Sequence, residues 1–129
     1  MFREGPPAVS IGSSSSSPES PTDLRRYARV PIEVRATYAV GGEPENRSGV
    51  ISDIGAGGVL LETDEDLMVG VTLALTFPLD GAALSATGRV VLSYFDGGKK
   101  RFRHGIAFTA IDPGQQVIIA TYVAANKGV

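Results

Sequence analysis

The sequence predicts an all-β fold with one C-terminal helix. Six short segments show the alternation of half-buried strands, Gly, Pro and Asp turns separate them, and a single helix-start signature follows the last. The first strand is expected over Ile32 to Val40, where Ile32, Val34, Ala36, Tyr38 and Val40 alternate with Glu33, Arg35, Thr37 and Ala39 until Gly41-Gly42. Gly49 to Asp53 reads as the second and Val59 to Glu62 as the third, divided by the glycines at 55, 57 and 58. Val71, Leu73, Leu75 and Phe77 form a fourth set, expected to stop at Pro78 because proline cannot donate to a ladder. Asp80-Gly81 is a turn, and Leu84 to Phe95 and Phe102 to Phe108 form a hairpin about Asp96-Gly97-Gly98.

Asp112, Pro113 and Gln115 make an N-cap, first-turn proline and capping-box pattern, so a helix is expected to about Asn126. Val117, Ile118, Ile119, Tyr122, Val123, Ala124 and Ala125 are apolar nearly all round. β-branched residues are mediocre helix formers, so this helix is expected to gain stability from burial on more than one side, either tucked deeply over the mouth of the sheet structure or with its second side against another subunit or protein partner.

The chain has 129 residues, enough for one domain and too few for two separate cores. Its 43% hydrophobic and 20% charged content is that of a globular protein. Residues 1–22 are Pro- and Ser-rich and are expected to be a disordered tail, leaving 23–129 as the domain. The absence of cysteine excludes disulfides and thiolate-bound zinc, and no apolar run suits a signal peptide or a membrane span, so a cytoplasmic protein is expected.

The residue inventory argues against an enzyme. His104 is the only histidine, and no cysteine accompanies it, so neither a nucleophile triad nor a metal cluster can be assembled. His104 lies in the alternating set Phe102, His104, Ile106, Phe108 and is expected to pack. Asp64, Glu65 and Asp66 read as a solvated turn. The net charge of −2 disfavours a nucleic-acid polymer as partner, yet eight of the twelve Lys and Arg residues fall between Arg25 and Arg35 or between Lys99 and Arg103. A small anion suits such clusters better.

Two stretches carry chemistry. Arg25, Arg26 and Arg29 precede the first strand, and arginine offers planar donor forks matched to phosphate oxygens and to the O6/N7 edge of guanine. Their bland alternative is a solubilised strand entrance. Asp53, Gly55, Gly57 and Gly58 form the second stretch: glycines admit close backbone approach, and Asp53 can accept from the N1–H and N2–H of a guanine. Here the bland alternative is an ordinary glycine-rich hairpin.

Taken together, Arg25-xxx-Arg29 and Asp53 to Gly58 resemble the RxxxR and (D/N)xSxxG motifs of the PilZ family, receptors for the second messenger cyclic di-GMP. Val30-Pro31, Gly88-Arg89-Val90-Val91 and Gly105-Ile106-Ala107-Phe108 are also similar to that family, and the resemblance spans residues 23–126. It implies a six-stranded antiparallel β-barrel with a C-terminal helix and a non-enzymatic nucleotide sensor without a cofactor. Arg25, Arg26 and Arg29 would close over the ligand, and Asp53, Gly55, Gly57 and Gly58 would form the barrel-side wall. A nucleotide-independent protein adaptor is the alternative. One position departs from the motif: Gly55 stands where the family has serine, which removes one hydroxyl contact worth ~1 kcal/mol.

Overall fold

The computed structural model describes residues 28–127. Six strands run β1 (Arg29–Val40), β2 (Arg47–Gly55), β3 (Gly58–Thr63), β4 (Thr72–Leu79), β5 (Ala82–Asp96) and β6 (Arg101–Ile111), followed by α1 (Pro113–Asn126). All pairings are antiparallel, and the order β1-β2-β3-β6-β5-β4 closes into a barrel through Thr37↔Thr76 to Val40↔Leu73. The link from β3 to β4 crosses the barrel mouth, because β3 lies beside β6 while β4 lies beside β1.

Alternation fills the interior. Tyr38, Ile51, Ile54, Leu61, Leu73, Leu75, Phe77, Leu84 and Ile106 are each no more than 1% exposed. Closure leaves their outward neighbours to water and removes open edges wherever the ladders run. Asp80 and Gly81 adopt φ of 53° and 84° between the paired Leu79 and Ala82, the left-handed pair required by a two-residue hairpin. Strand β4 runs through Pro78, two residues beyond the last β1 pairing at Thr76, so no neighbour there needs an N–H from the proline.

Asp112 caps α1, its Oδ2 accepting from the backbone N–H of Gly114 (2.9 Å) and Gln115 (3.3 Å). Gln115 completes no capping box; its Oε1 accepts from the Ser85 N–H at 2.8 Å and pins the helix to β5. The helix packs on β1 and β2 through buried Ile119 and Val123, while Val117 is 62% exposed. Burial on several sides is therefore not how this helix is stabilised within one chain. One apolar stripe, the Asp112 cap and the Gln115 bond to β5 hold it.

At the opposite mouth the acidic turn is engaged rather than freely solvated. Glu65 accepts from the Tyr38 hydroxyl (2.6 Å) and pairs with Arg47 (3.0 Å), and burial together with that hydrogen bond lifts the Tyr38 phenol above its ordinary range. His104 is fully buried, with Nε2 2.9 Å from Thr63 Oγ1 and Nδ1 2.9 Å from Ser93 Oγ, which donates in turn to Asp66. The expected packing role holds, with a polar network added.

Candidate functional site

Strand β1 begins at Arg29, three residues earlier than its alternation suggests, so this arginine belongs to the sheet rather than to a hinge. Arg29 pairs in register with Gly55, Val30 with Ile54 and Pro31 with Asp53. Arg25 and Arg26 lie outside the described residues.

Two irregularities meet at Ser52. Register slips between Ile51 and Asp53 against β3, and between Pro31 and Val34 against β1. A bulge re-aims side chains at a strand end. Here Ile51 and Ile54 both stay in the core while Asp53 turns to the outer surface beside Arg29.

Asp53 Oδ2 lies 3.1 Å from Arg29 Nη2, with the two side chains 30% and 23% exposed. Burial raises the Asp53 carboxyl above its ordinary value, although Arg29, the Ile54 N–H and Arg103 all pull it down. Asp53 Oδ1 and Arg29 Nε are buried and find no hydrogen-bond partner among the described residues. An unsatisfied buried polar atom costs ~1–3 kcal/mol, so the pair is under-bonded and suited to a ligand that supplies both a donor and an acceptor.

The glycines divide the work. Ala56-Gly57 turns the chain between the paired Gly55 and Gly58, and the Gly57 carbonyl accepts from the Phe108 N–H at 2.9 Å, holding the turn to β6. Gly55 has no positive φ, yet a Cβ on it would lie 2.8 Å from the Ala28 carbonyl oxygen and 2.9 Å from Arg29 Cγ. Its role is close approach, so serine at this position would add a collision as well as a hydroxyl.

Ser52, at the head of the glycine-rich stretch, and Arg103, at the end of the second basic run, were not among the expected ligand contacts. Arg103 reaches across β3, with Nη2 3.4 Å from Ser52 Oγ, Nε 3.4 Å from Glu62 and Nη1 3.4 Å from Asp96. The basic run was visible, but its acids were not: Lys99 pairs with Glu62 at 3.0 Å and Arg101 with Asp64 at 3.6 Å. Glu62 is 4% exposed, and its burial is outweighed first by the Lys99 hydrogen bond, which helps hold it below the usual carboxylate range. This second basic cluster is largely neutralised, and Arg103 alone borders Asp53. An open groove lined by Ala74, Thr76, Ser85, Thr87, Ala110 and Asp112 lies on the β4–β5–β6 side, away from Asp53, and its carboxylate is already committed to capping α1.

Among the described residues no group of His, Asp and Glu is arranged to hold a metal, and no helix is long and apolar enough to cross a membrane.

Comparison with known proteins places this geometry. No curated protein matches the chain. The Bacillus subtilis inhibitor of motility MotI/DgrA superposes with a TM-score of 0.71 at 17% identity, over 78% of this chain and 50% of that one. The chain thus spans about half the length of that protein. The PilZ domain of Escherichia coli YcgR with c-di-GMP superposes at 0.60 with 13% identity, over 79% of this chain and 90% of that one. A tetrameric PilZ protein of Xanthomonas campestris, self-assembled through a helical bundle, gives 0.60 at 11% identity, covering 77% and 87%. These likenesses establish the closed barrel with its helix, and the PilZ domain model itself matches residues 23–125; the chain belongs to the PilZ domain family.

Proposed function

We propose that the protein is a non-enzymatic cyclic di-GMP sensor whose ligand lies over the β1–β2 end of the barrel. The observation that carries this reading is the Arg29–Asp53 pair, a guanidinium fork and a carboxylate held together by a bulge, each with a buried polar atom that finds no partner among the described residues. Asp53 matches the N1–H and N2–H donors of guanine, and Arg29 matches a phosphate oxygen. Family membership and the c-di-GMP held by the YcgR PilZ domain support the ligand's identity. Arg25 and Arg26 close over the nucleotide from the N-terminal side, while Gly55, Gly57 and Gly58 admit it to the backbone. Because β1 already includes Arg29, any ordering on binding concerns residues before Ala28. The free energy of that ordering converts binding into a surface that a partner reads.

Calorimetric titration of the full chain with cyclic di-GMP tests this. Saturable heat is expected, with affinity at least ten-fold weaker in Arg29→Ala, since a charge-assisted bond is worth ~1.5–3 kcal/mol. A folded protein that gives no heat with millimolar ligand rejects the sensor. The adaptor reading then leads, favoured by Val117 standing 62% exposed on α1.

A further inference from the structure

Arg29 and Asp53 are the two charged groups best placed to hold a nucleotide, and they hold each other. The contact exists because β1 lies unusually close to the end of β2. Arg29 is registered opposite Gly55, and the space where a Gly55 Cβ would sit is taken by the Ala28 carbonyl oxygen (2.8 Å) and Arg29 Cγ (2.9 Å). The first of these is backbone and cannot swing away, so any larger residue must push the start of β1 outward. Only a bare Cα lets the Arg29 stem lie flat and its guanidinium fold back onto Asp53.

We propose that Gly55 is a positioning residue that seats Arg29 on Asp53, making the pair an internal competitor which an anionic nucleotide must displace. This rests on the nucleotide reading above. A phosphate and the Asp53 carboxylate are alternative partners for one guanidinium fork. Likewise the guanine edge and Arg29 are alternative donors to one carboxylate. The closed pair is also poorly satisfied, with Arg29 Nε and Asp53 Oδ1 buried and unbonded among the described residues, so it can be exchanged for a ligand that fills both. The site is thus occupied by its own residues until the ligand arrives, and the ligand's gain is reduced by the pair it breaks.

The test follows the Arg29 Nε–H resonance by NMR on the full chain while Asp53 is titrated with acid. In the wild type this resonance is expected to move as Asp53 protonates. In Gly55→Ala it is expected to stay flat, with amide exchange at Arg29 and Val30 accelerated at least ten-fold. An identical titration and unchanged exchange in Gly55→Ala overturn the seating role. If that variant does not fold, Arg29→Gln keeps Gly55 in place: the Asp53 carboxyl must then titrate at higher pH than in the wild type, and an unmoved titration overturns the pairing. Saturating cyclic di-GMP is expected to uncouple the Arg29 signal from Asp53. A ligand that binds, shifting other resonances, while the coupling persists overturns the competition. A spectrum unchanged everywhere at millimolar ligand overturns the nucleotide reading instead, and the Gly55→Ala comparison still decides the seat.

Discussion

Asp53 illustrates how a candidate site residue can work against the fold. Its folded-state titration is raised, chiefly by burial, so the protonated form is the one that folding favours; that contribution is present below the ordinary carboxylate value of 3.8 and lost as pH rises through the folded value. At neutral pH the charged side chain opposes folding. Asp53→Asn is therefore expected to leave the thermal midpoint at pH 7 unchanged or higher while weakening cyclic di-GMP binding, and a drop of several degrees would show the carboxylate to be structural. His104 tilts the other way. Burial lowers its titration below 6.5, so the unfolded chain takes up the proton first, and the neutral ring's contribution is full above 6.5 and lost as pH falls from there through the folded value. Urea melts between pH 7 and 5 should show stability falling in the wild type and a flatter profile in His104→Gln, which keeps a donor and an acceptor for Thr63 and Ser93. Equal slopes in the two proteins would remove His104 as the source. Neither titration shift is visible in the sequence, where Asp53 is a motif acid and His104 one alternating residue; both depend on strands brought together by pairing.

Helix α1 separates what pattern can show from what it cannot. Its start was legible, because Asp112 and Pro113 are local signals acting on the helix's own backbone. Its burial was not, since a count of apolar residues ignores that alanines tolerate water and that only one stripe can reach β1 and β2. Ile119 lies on that stripe with no exposure, so Ile119→Ala should cost ~2–5 kcal/mol in a urea melt, while Val117→Ala on the open face should stay within about 0.5 kcal/mol. Comparable losses at both positions would mean that Val117 is covered by a second molecule, which sedimentation would then detect. The strands show the same division: alternation located all six, but their ends moved by up to three residues. Pro78 could not end β4, because the neighbour that would have needed its N–H stops at Thr76. Strand β1 starts before the alternating set, because Arg29 finds a ladder partner in Gly55.

Across the whole molecule, the parts that make the barrel and the parts that make the site separate at the start of β1. Among the described residues every ladder, the mouth-crossing link and the helix lie within Arg29–Asn126, and the barrel closes without residues before Ala28. The proposed site draws on both sides of that boundary, Arg29 and Asp53 within and Arg25 and Arg26 before it. The motif spacing made this set of residues legible in advance; the pairing of Arg29 with Asp53, the crowding at Gly55 and the reach of Arg103 were not, since each is set by a register that no local pattern specifies. A chain begun at Thr22 should match the full one in strand-dominated circular dichroism, cooperative melting and cyclic di-GMP affinity, because a Pro- and Ser-rich composition offers too little apolar surface to offset its ordering entropy. A chain begun at Ala28 should still melt cooperatively but lose the contacts of Arg25. One charge-assisted bond of ~1.5–3 kcal/mol then weakens binding by about ten- to a hundred-fold, and the ligand-induced rise in melting temperature shrinks at fixed ligand concentration. Loss of the cooperative transition in the shorter chain would show that residues 22–27 complete the fold. An undiminished ligand shift would show that the arginines before Ala28 take no part in binding, leaving the β1–β2 end of the barrel to hold the nucleotide alone.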